Sequence, residues 1–159
     1  MSRHFRKRIW IFTIIFTLIF NTSDVASATA PKTNCNIRVD DAHISTYLQR
    51  NLNIRAVKVN ARSKCNLPMW DLVLRVEIYK EGLLRDYKVA DYDKKIKGFI
   101  APNRVIKNWS TYAECNSNRR SKYYGKAQAI ATIKGKRIQT RQVVSQNIKN
   151  LACGTWDRL

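Results

Sequence analysis

Strict alternation of apolar and polar residues limits what this chain can fold into more than any other feature. In the segment WDLVLRVEIY, every second residue from Trp70 to Ile78 is apolar, while Arg75 and Glu77 fall between them. A period of two places neighbouring residues on opposite faces of a β-strand, whereas a helix would need a period of about 3.6. The segment therefore predicts a strand with one face in a core.

Six further segments alternate in the same way, and RDYKVADYDKKI is the weakest of them. In NWSTYAEC the alternation places Trp109, Thr111, Ala113 and Cys115 on the inward face. Turn-forming Asn, Pro and Gly residues separate the segments, and only residues 44–52 (ISTYLQRNL) read as a short helix or a loop. The pattern predicts an all-β fold, specifically an immunoglobulin-like antiparallel β-sandwich of about seven strands with two disulfides.

The N-terminal residues have the three parts of a secretory signal peptide. A basic start, MSRHFRKR, precedes an apolar run over residues 9–20, and small residues follow with Ala26 and Ala28 in an A-x-A arrangement. A membrane anchor is the alternative, but a spanning helix needs about 20 apolar residues and this run has twelve. We predict a signal peptide over residues 1–28, a short linker over 29–34, a sandwich domain over 35–155 and no transmembrane segment after cleavage.

Four cysteines lie in the part of the chain predicted to be exported: Cys35, Cys65, Cys115 and Cys153. An even number in a secreted protein predicts two disulfides, for which three pairings are formally possible. If the strands alternate in direction, the first two cysteines meet at one end of the domain and the last two at the other, which favours a bond within each pair. A Greek-key path would break that simple alternation. No Cys-x-x-Cys pair is present, so we predict neither a metal site nor a cofactor.

The segment KYYGKAQAIATIKGKRIQTR, residues 122–141, is the best-patterned part of the chain. Lys134 and Gly135 are predicted to form a two-residue hairpin turn, because glycine supplies the positive φ that such turns need. This turn would pair Ile133 with Lys136 and place the alternate apolar residues from Ala127 to Ile133 in the core. The opposite face would be exposed and would carry mainly polar and cationic side chains: Tyr124, Lys126, Gln128, Thr132, Arg137, Gln139 and Arg141.

Positive charge dominates the predicted mature chain. Without residues 1–28 it has 26 basic and 10 acidic side chains, a net charge of +16, and no Asp or Glu occurs from Asn116 to Trp156. One interpretation is that the cations keep a secreted domain soluble and protect strand edges. The functional hypothesis, which the missing acids favour, is an anion-binding patch. Its predicted members are Arg119, Arg120, Lys122, Tyr124, Lys126, Arg137 and Arg141.

Catalytic groups are scarce in this sequence. Asp40, Asp41 and His43 form the one cluster of acids with a histidine after residue 28, and such groups could transfer a proton in a nuclease. The alternative is a turn in which the aspartates cap the backbone and His43 bonds to a main-chain atom. A G-x-S-x-G motif is absent, and the cysteines are expected to be oxidised. We therefore predict a protein that is not an enzyme.

Three stretches together, CNIRVDDAHIS, RAVKVNARSKC and LVLRVEIYKEG, resemble small secreted proteins of actinobacteria and other Gram-positive bacteria, whose function is uncharacterised. The shared features are a Cys strand, an Asp-x-x-His-x-Ser segment, a second Cys strand and a following strand with Leu and Tyr. The resemblance covers about the first third of the mature chain. It implies a β-sandwich in which Cys35 and Cys65 are bonded. The lysine-rich surface departs from the more neutral sequences of that group, so the resemblance implies no ligand.

These observations predict a secreted, non-enzymatic basic protein that binds an anionic extracellular or cell-surface partner. Candidate partners are wall polymers, acidic glycans, membranes and the backbone of nucleic acids, but no motif for reading bases is present. The alternatives are a secreted effector, such as an antimicrobial protein or an inhibitor, and an extracellular nuclease. We expect the domain to act as a monomer.

Overall fold

The computed structural model describes residues 33–156, which form two antiparallel β-sheets and one short helix. The predicted signal peptide over residues 1–28 lies outside the described residues. In chain order the elements are β1 (Cys35–Val39), β2 (His43–Ile44), α1 (Thr46–Leu52), β3 (Ala56–Cys65), β4 (Met69–Lys80), β5 (Tyr87–Ile100), β6 (Val105–Glu114), β7 (Ser117–Ile133), β8 (Lys136–Gln139), β9 (Val143–Val144) and β10 (Lys149–Gly154).

The two sheets enclose one hydrophobic core, so the predicted all-β sandwich is confirmed. In the four-stranded sheet, β3 pairs with β1 and β2 along one edge and with β6 along the other. In the six-stranded sheet, β4 lies between β5 and β7, and the far edge of β7 pairs in turn with β10, β9 and β8. The chain crosses between the sheets after β3, β5 and β6, which is the strand order of an immunoglobulin-like fold.

The described residues contain ten strands rather than about seven, and part of the difference has a local cause. The last predicted strand is divided because two side chains take the place of backbone partners for β7. Thr140 Oγ1 accepts a hydrogen bond from Ala129 N at 3.0 Å, and Ser145 Oγ accepts one from Gly125 N at 3.0 Å. As a result, β8, β9 and β10 cover successive parts of one long strand.

The hairpin formed by β7 and β8 has the predicted turn and register. Lys134 and Gly135 both have positive φ, 50° and 72°, as a tight two-residue turn requires. Ile133 pairs with Lys136, and alternate residues of β7 before the turn are buried. The ambiguous residues 44–52 contain helix α1, which begins after the N-cap Ser45.

A buried asparagine joins the two sheets. Asn108 on β6 is fully buried, and its Nδ2 donates hydrogen bonds to Leu74 O and Tyr92 O of the other sheet, each at 3.0 Å.

Strand β6 has a bulge next to Asn108, since the register between β6 and β3 shifts opposite residues 59–61. The extra residue turns Trp109 outward, so the prediction that Trp109 faces the core is wrong.

Both disulfides have the pairing that alternating strands favour. Cys35–Cys65 joins cross-strand neighbours of β1 and β3, and Cys115–Cys153 joins the end of β6 to β10. The chain does follow a Greek-key path. However, β10 runs antiparallel to β7 and ends where β7 begins, directly after Cys115. The second bond therefore ties one sheet to the other. Such disulfides are typical of proteins in an oxidising compartment.

The segment Lys32–Leu159 forms one compact unit that contains both disulfides and the hydrophobic core. A unit with its own core and covalent links has what a domain needs to fold by itself. Among residues 33–156, no helix is both long enough and apolar enough to cross a membrane.

Candidate anion-binding surfaces

The predicted anion-binding residues do not form one cluster. The cations of residues 119–122 lie near the start of β7, whereas Arg137 is opposite Thr132 near its end and Arg141 lies beyond β8. The ten residues of strand between Lys122 and Thr132 span about 33 Å. The predicted patch is therefore divided into two groups of cations at opposite ends of the six-stranded sheet.

Tyr124 and Lys126, in the middle of the predicted patch, contact side chains of their own sheet. Tyr124 is only 8% exposed, and its hydroxyl donates to Asp86 Oδ2 at 2.6 Å. Burial, and then this hydrogen bond, raise the pKa of Tyr124. The Tyr79 ring stacks on it at 5.4 Å between centres, and Lys126 Nζ lies 4.1 Å from the centre of the Tyr79 ring. Tyr124 is therefore not the exposed residue that alternation predicts, because Tyr79 and Lys126 cover it.

Two acids from β4 and the loop that follows it lie beside the segment that has none of its own. Glu77 on β4 is directly opposite Lys126, and Glu81 Oε2 lies 2.9 Å from Lys122 Nζ. Both acids are far from their partners in sequence and become neighbours only through strand pairing. Although this stretch of sequence contains no acid, acids are its neighbours in the folded protein.

We name the outer surface of β4, β5 and β7 the mixed face, because it carries side chains of both signs. Arg75 donates two hydrogen bonds to Asp93, each at 2.9 Å, which lower the pKa of Asp93 and raise that of Arg75. Lys88 Nζ lies 3.7 Å from Glu77 Oε1 and 3.6 Å from Asp91 Oδ1. The charged residues of the mixed face are Arg75, Glu77, Lys88, Asp91, Asp93, Lys95 and Lys126.

The outer surface of the four-stranded sheet has a different distribution of charge. Arg38 on β1, Arg62 on β3 and Lys107 on β6 are direct cross-strand partners, so three cations form one row across the sheet. Adjacent strands are about 4.8 Å apart, which makes the row about 10 Å wide. Lys58 and Lys64 occupy further outward positions of β3. We name this surface the cationic face and define it by Arg38, Lys58, Arg62, Lys64 and Lys107.

None of these five cations forms a hydrogen bond or an ion pair through its side chain with any residue that the structure describes. Two acids lie on the same sheet, Asp40 just beyond β1 and Glu114 at the end of β6. Like charges directly opposite each other destabilise a sheet, by up to about 1 kcal/mol per pair. Arg38–Arg62 and Arg62–Lys107 are two such pairs, so this row lowers the stability of the domain.

Aromatic side chains extend the cationic face. Trp109 is 55% exposed, and Lys107 Nζ lies 4.6 Å from the centre of a Trp109 ring. Lys58 lies between His43 on β2 and Tyr112 on β6, and partial burial lowers its pKa. The surface thus places cations that can bind anionic groups beside rings that can stack on a ligand.

A second cationic region is a cleft of about 640 Å³ at the end of the six-stranded sheet, which we name the end cleft. Its lining includes Lys80, Arg119, Arg120 and Lys122, together with hydroxyl and amide side chains. Lys122 is paired with Glu81, which also lines the cleft. Arg119 and Arg120 form no ion pair with the residues described, so this part of the predicted patch keeps two cations available.

The Asp–His cluster of the sequence lies where β1 connects to β2. His43 Nδ1 lies 3.1 Å from the main-chain oxygen of Asp41. The Asp41 carboxylate accepts hydrogen bonds from Asn147 Nδ2 and Asn147 N, each at 2.8 Å, and these lower the pKa of Asp41. Across residues 33–156, no group of three or more His, Cys, Asp or Glu side chains is placed to hold a metal ion.

Sequence reasoning missed the cationic face, although part of the signal was visible. The alternation from Lys58 to Lys64 already places the polar residues of this strand on one side. The missing information was the register, which brings Arg38 and Lys107 to either side of Arg62.

No protein-family model and no curated protein matches this chain. The resemblance to small secreted Gram-positive proteins therefore stays a prediction.

Proposed function

We propose that this chain is a secreted, non-enzymatic protein that binds an anionic polymer, either free outside cells or attached to a cell surface, through the cationic face. The row Arg38–Arg62–Lys107 carries the proposal. Its three adjacent cations repel one another, and a bound anion would remove that repulsion. The two disulfides support the extracellular location, because such bonds persist in oxidising surroundings.

The shape of the cationic face favours a polymer over a small anion. The face is the open surface of a sheet, and its cations are spread over three strands. Arg38 and Arg62 have planar guanidinium groups whose donors match the oxygens of carboxylates and phosphates. A chain of anionic groups can contact several of the five cations at once, whereas a single small anion can contact only one or two.

Binding of this kind depends strongly on salt. If a single-stranded polyanion neutralises all five cations, the logarithm of the affinity falls against the logarithm of salt concentration with a slope of about −3.5. A roughly fourfold increase in salt would then lower the affinity about 100-fold. Affinity that does not change with salt would contradict the proposal.

The test measures binding of the Lys32–Leu159 chain to immobilised inorganic polyphosphate, a linear polyanion without rings. The face variant Arg38→Gln/Arg62→Gln/Lys107→Gln removes the whole row. If each contact contributes about 1 kcal/mol, the three substitutions lower the affinity about 100-fold. The reduced repulsion should leave the domain folded, which thermal unfolding of the variant would show.

The matched control is Lys94→Gln/Lys95→Gln/Lys97→Gln, which removes the same charge from exposed positions of β5. We expect this control to lower the affinity less than about threefold, because these lysines lie on the other sheet. Equal losses in the two variants would show that net charge alone attracts the polymer, and would contradict a specific role for the cationic face.

A further inference from the structure

The loop between β4 and β5 exposes two consecutive leucines. Leu83 and Leu84 are both essentially fully exposed at the end of the sandwich. Single exposed apolar residues are common on protein surfaces, but two adjacent ones at a loop tip suggest an apolar partner. Trp156, which directly follows the cleft residue Thr155, is also 77% exposed.

Contacts at both ends of this loop hold the leucines outward. Glu81 N donates to Lys122 O at 2.9 Å, and Asp86 accepts the hydroxyl of Tyr124. The turn between them is tight, because a side chain at Gly82 would overlap the carbonyl oxygen of Arg85. The leucines are thus presented by a loop anchored on both sides.

The exposed leucines adjoin the end cleft. Leu83 lines that cleft together with Lys80, Arg119 and Arg120. The two arginines form no ion pair with the residues described, and the acid of the cleft, Glu81, is occupied by Lys122. An apolar tip beside available guanidinium groups matches the boundary of a lipid bilayer, where phosphates lie directly above the acyl chains.

We propose that this end of the sandwich docks on a membrane leaflet rich in anionic phospholipid. Leu83 and Leu84 enter the boundary between headgroups and acyl chains, and Arg119 and Arg120 bind lipid phosphates. This site is separate from the cationic face and does not depend on the proposed function. A fluid leaflet fits a two-residue tip better than a protein does, since a stable protein interface buries about 800 Å² per partner.

The two parts of the site are both needed for stable docking. Burial of one leucine side chain corresponds to an affinity gain of about 10- to 100-fold, and one cation near an anionic surface to about fivefold. A single weak anchor gives only marginal membrane binding, whereas an apolar anchor combined with cations gives stable attachment. Both the leucines and the arginines should therefore be required.

The experiment measures sedimentation of the Lys32–Leu159 chain with vesicles of phosphatidylcholine alone and with vesicles that also contain phosphatidylglycerol. We expect strong binding only to the anionic vesicles. The variant Leu83→Ser/Leu84→Ser should lower that affinity by at least about 30-fold. The control Leu52→Ser/Ile148→Ser changes two exposed apolar residues elsewhere, and its affinity should stay within about twofold of the original.

A second pair of variants separates this site from the cationic face. Arg119→Gln/Arg120→Gln should lower vesicle affinity by about 20-fold. The face variant defined above should keep most of its affinity for vesicles. If the leucine variant binds as the unchanged chain does, or if only the face variant loses binding, the proposal is wrong and the protein adsorbs by charge through the cationic face.

Discussion

The mixed face and the cationic face are the outer surfaces of the same sandwich, yet among the residues described charged side chains form ion pairs on the first and not on the second. On the mixed face, Arg75 is held by Asp93, and Lys88 lies near Glu77 and Asp91. On the cationic face, five cations have no ion pair with a described residue, and three of them face one another directly. The mixed face also has two acids directly opposite each other, Glu77 and Asp91, but Lys88 lies beside both of them. On the cationic face, no described acid pairs with the row of cations.

This difference is the reason why we propose the cationic face, and not the mixed face, as the binding surface. Opposite charges across strands add a few tenths of a kcal/mol per pair, whereas like charges subtract a similar amount. A surface that only kept the protein soluble would not need its cations in direct opposition.

The largest effect should come from Asn108, because this residue connects β6 of the cationic face to the other sheet. In Asn108→Leu, the carbonyl oxygens of Leu74 and Tyr92 lose a buried donor. We expect a loss of about 3 kcal/mol in the free energy of unfolding, measured with urea. Asn36→Leu, at an exposed position of β1, is the control, and a loss for Asn108→Leu below about 1 kcal/mol would contradict this role.

Reversing one charge on each face should change the stability of the domain in opposite directions. Arg62→Glu places an acid between Arg38 and Lys107, and we expect it to stabilise the domain by about 1 kcal/mol. Asp93→Lys places a cation directly opposite Arg75 on the mixed face and removes their ion pair, and we expect it to destabilise the domain by about 1 kcal/mol. Urea unfolding at low salt measures both. High salt should reduce both changes in the free energy of unfolding. If the two variants change this free energy in the same direction at low salt, the proposed difference between the two faces is wrong.

The two faces should also respond to opposite ends of the pH scale. The pKa of Asp93 is lowered from 3.8 by Arg75, so its ion pair stabilises the domain above pH 3.8 and is lost as the pH falls through the lowered pKa. The pair is partly exposed, so we expect at most about 1 kcal/mol. Asp93→Asn should remove this acid-dependent part from the pH profile of unfolding.

At alkaline pH, Lys58 of the cationic face should affect how the stability of the domain depends on pH. Burial lowers its pKa from 10.5, so the folded state releases this proton at a lower pH than the unfolded chain does. Stability should therefore rise as the pH increases through the lowered pKa towards 10.5, and this rise should be absent in Lys58→Gln. An identical alkaline profile for the variant would contradict the assignment.

The smallest effect concerns the lysines that lie over aromatic rings. Lys126→Ala removes a cation from the rings of Tyr79 and Tyr124, and we expect a loss of about 0.5 kcal/mol. Lys107→Ala also loses a ring contact, with Trp109, but it relieves repulsion from Arg62. Its net change in unfolding free energy should be near zero, and a loss as large as that of Lys126→Ala would argue against repulsion in the row.

Local patterns predicted local structure well. The turn at Lys134 and Gly135 and the alternate inward residues from Ala127 to Ile133 depend on a few neighbouring side chains, and both agree with the structure. The disulfide pairing was also predictable, because it needs only the direction of the strands. The exposed Trp109 was not predictable, since a single bulge in β6 reverses which residues face the core.

The candidate site was harder to predict because charge acts through space. The acid-free stretch that contains Lys122 and Lys126 attracted attention in the sequence, but it lies beside Glu77 and Glu81 in the sheet. The row centred on Arg62 is formed by three strands that are distant in sequence. Only the register shows that its cations meet.

The division of the edge of β7 among three short strands has a consequence for crowded conditions. β10, β9 and β8 each occupy a few residues of this edge, with Thr140 and Ser145 filling gaps between them. At this edge of the sheet, a neighbouring molecule therefore finds no long run of open backbone on which to add a strand. If the protein binds a polymer as proposed, many copies can lie side by side on it without pairing along this edge into fibrils.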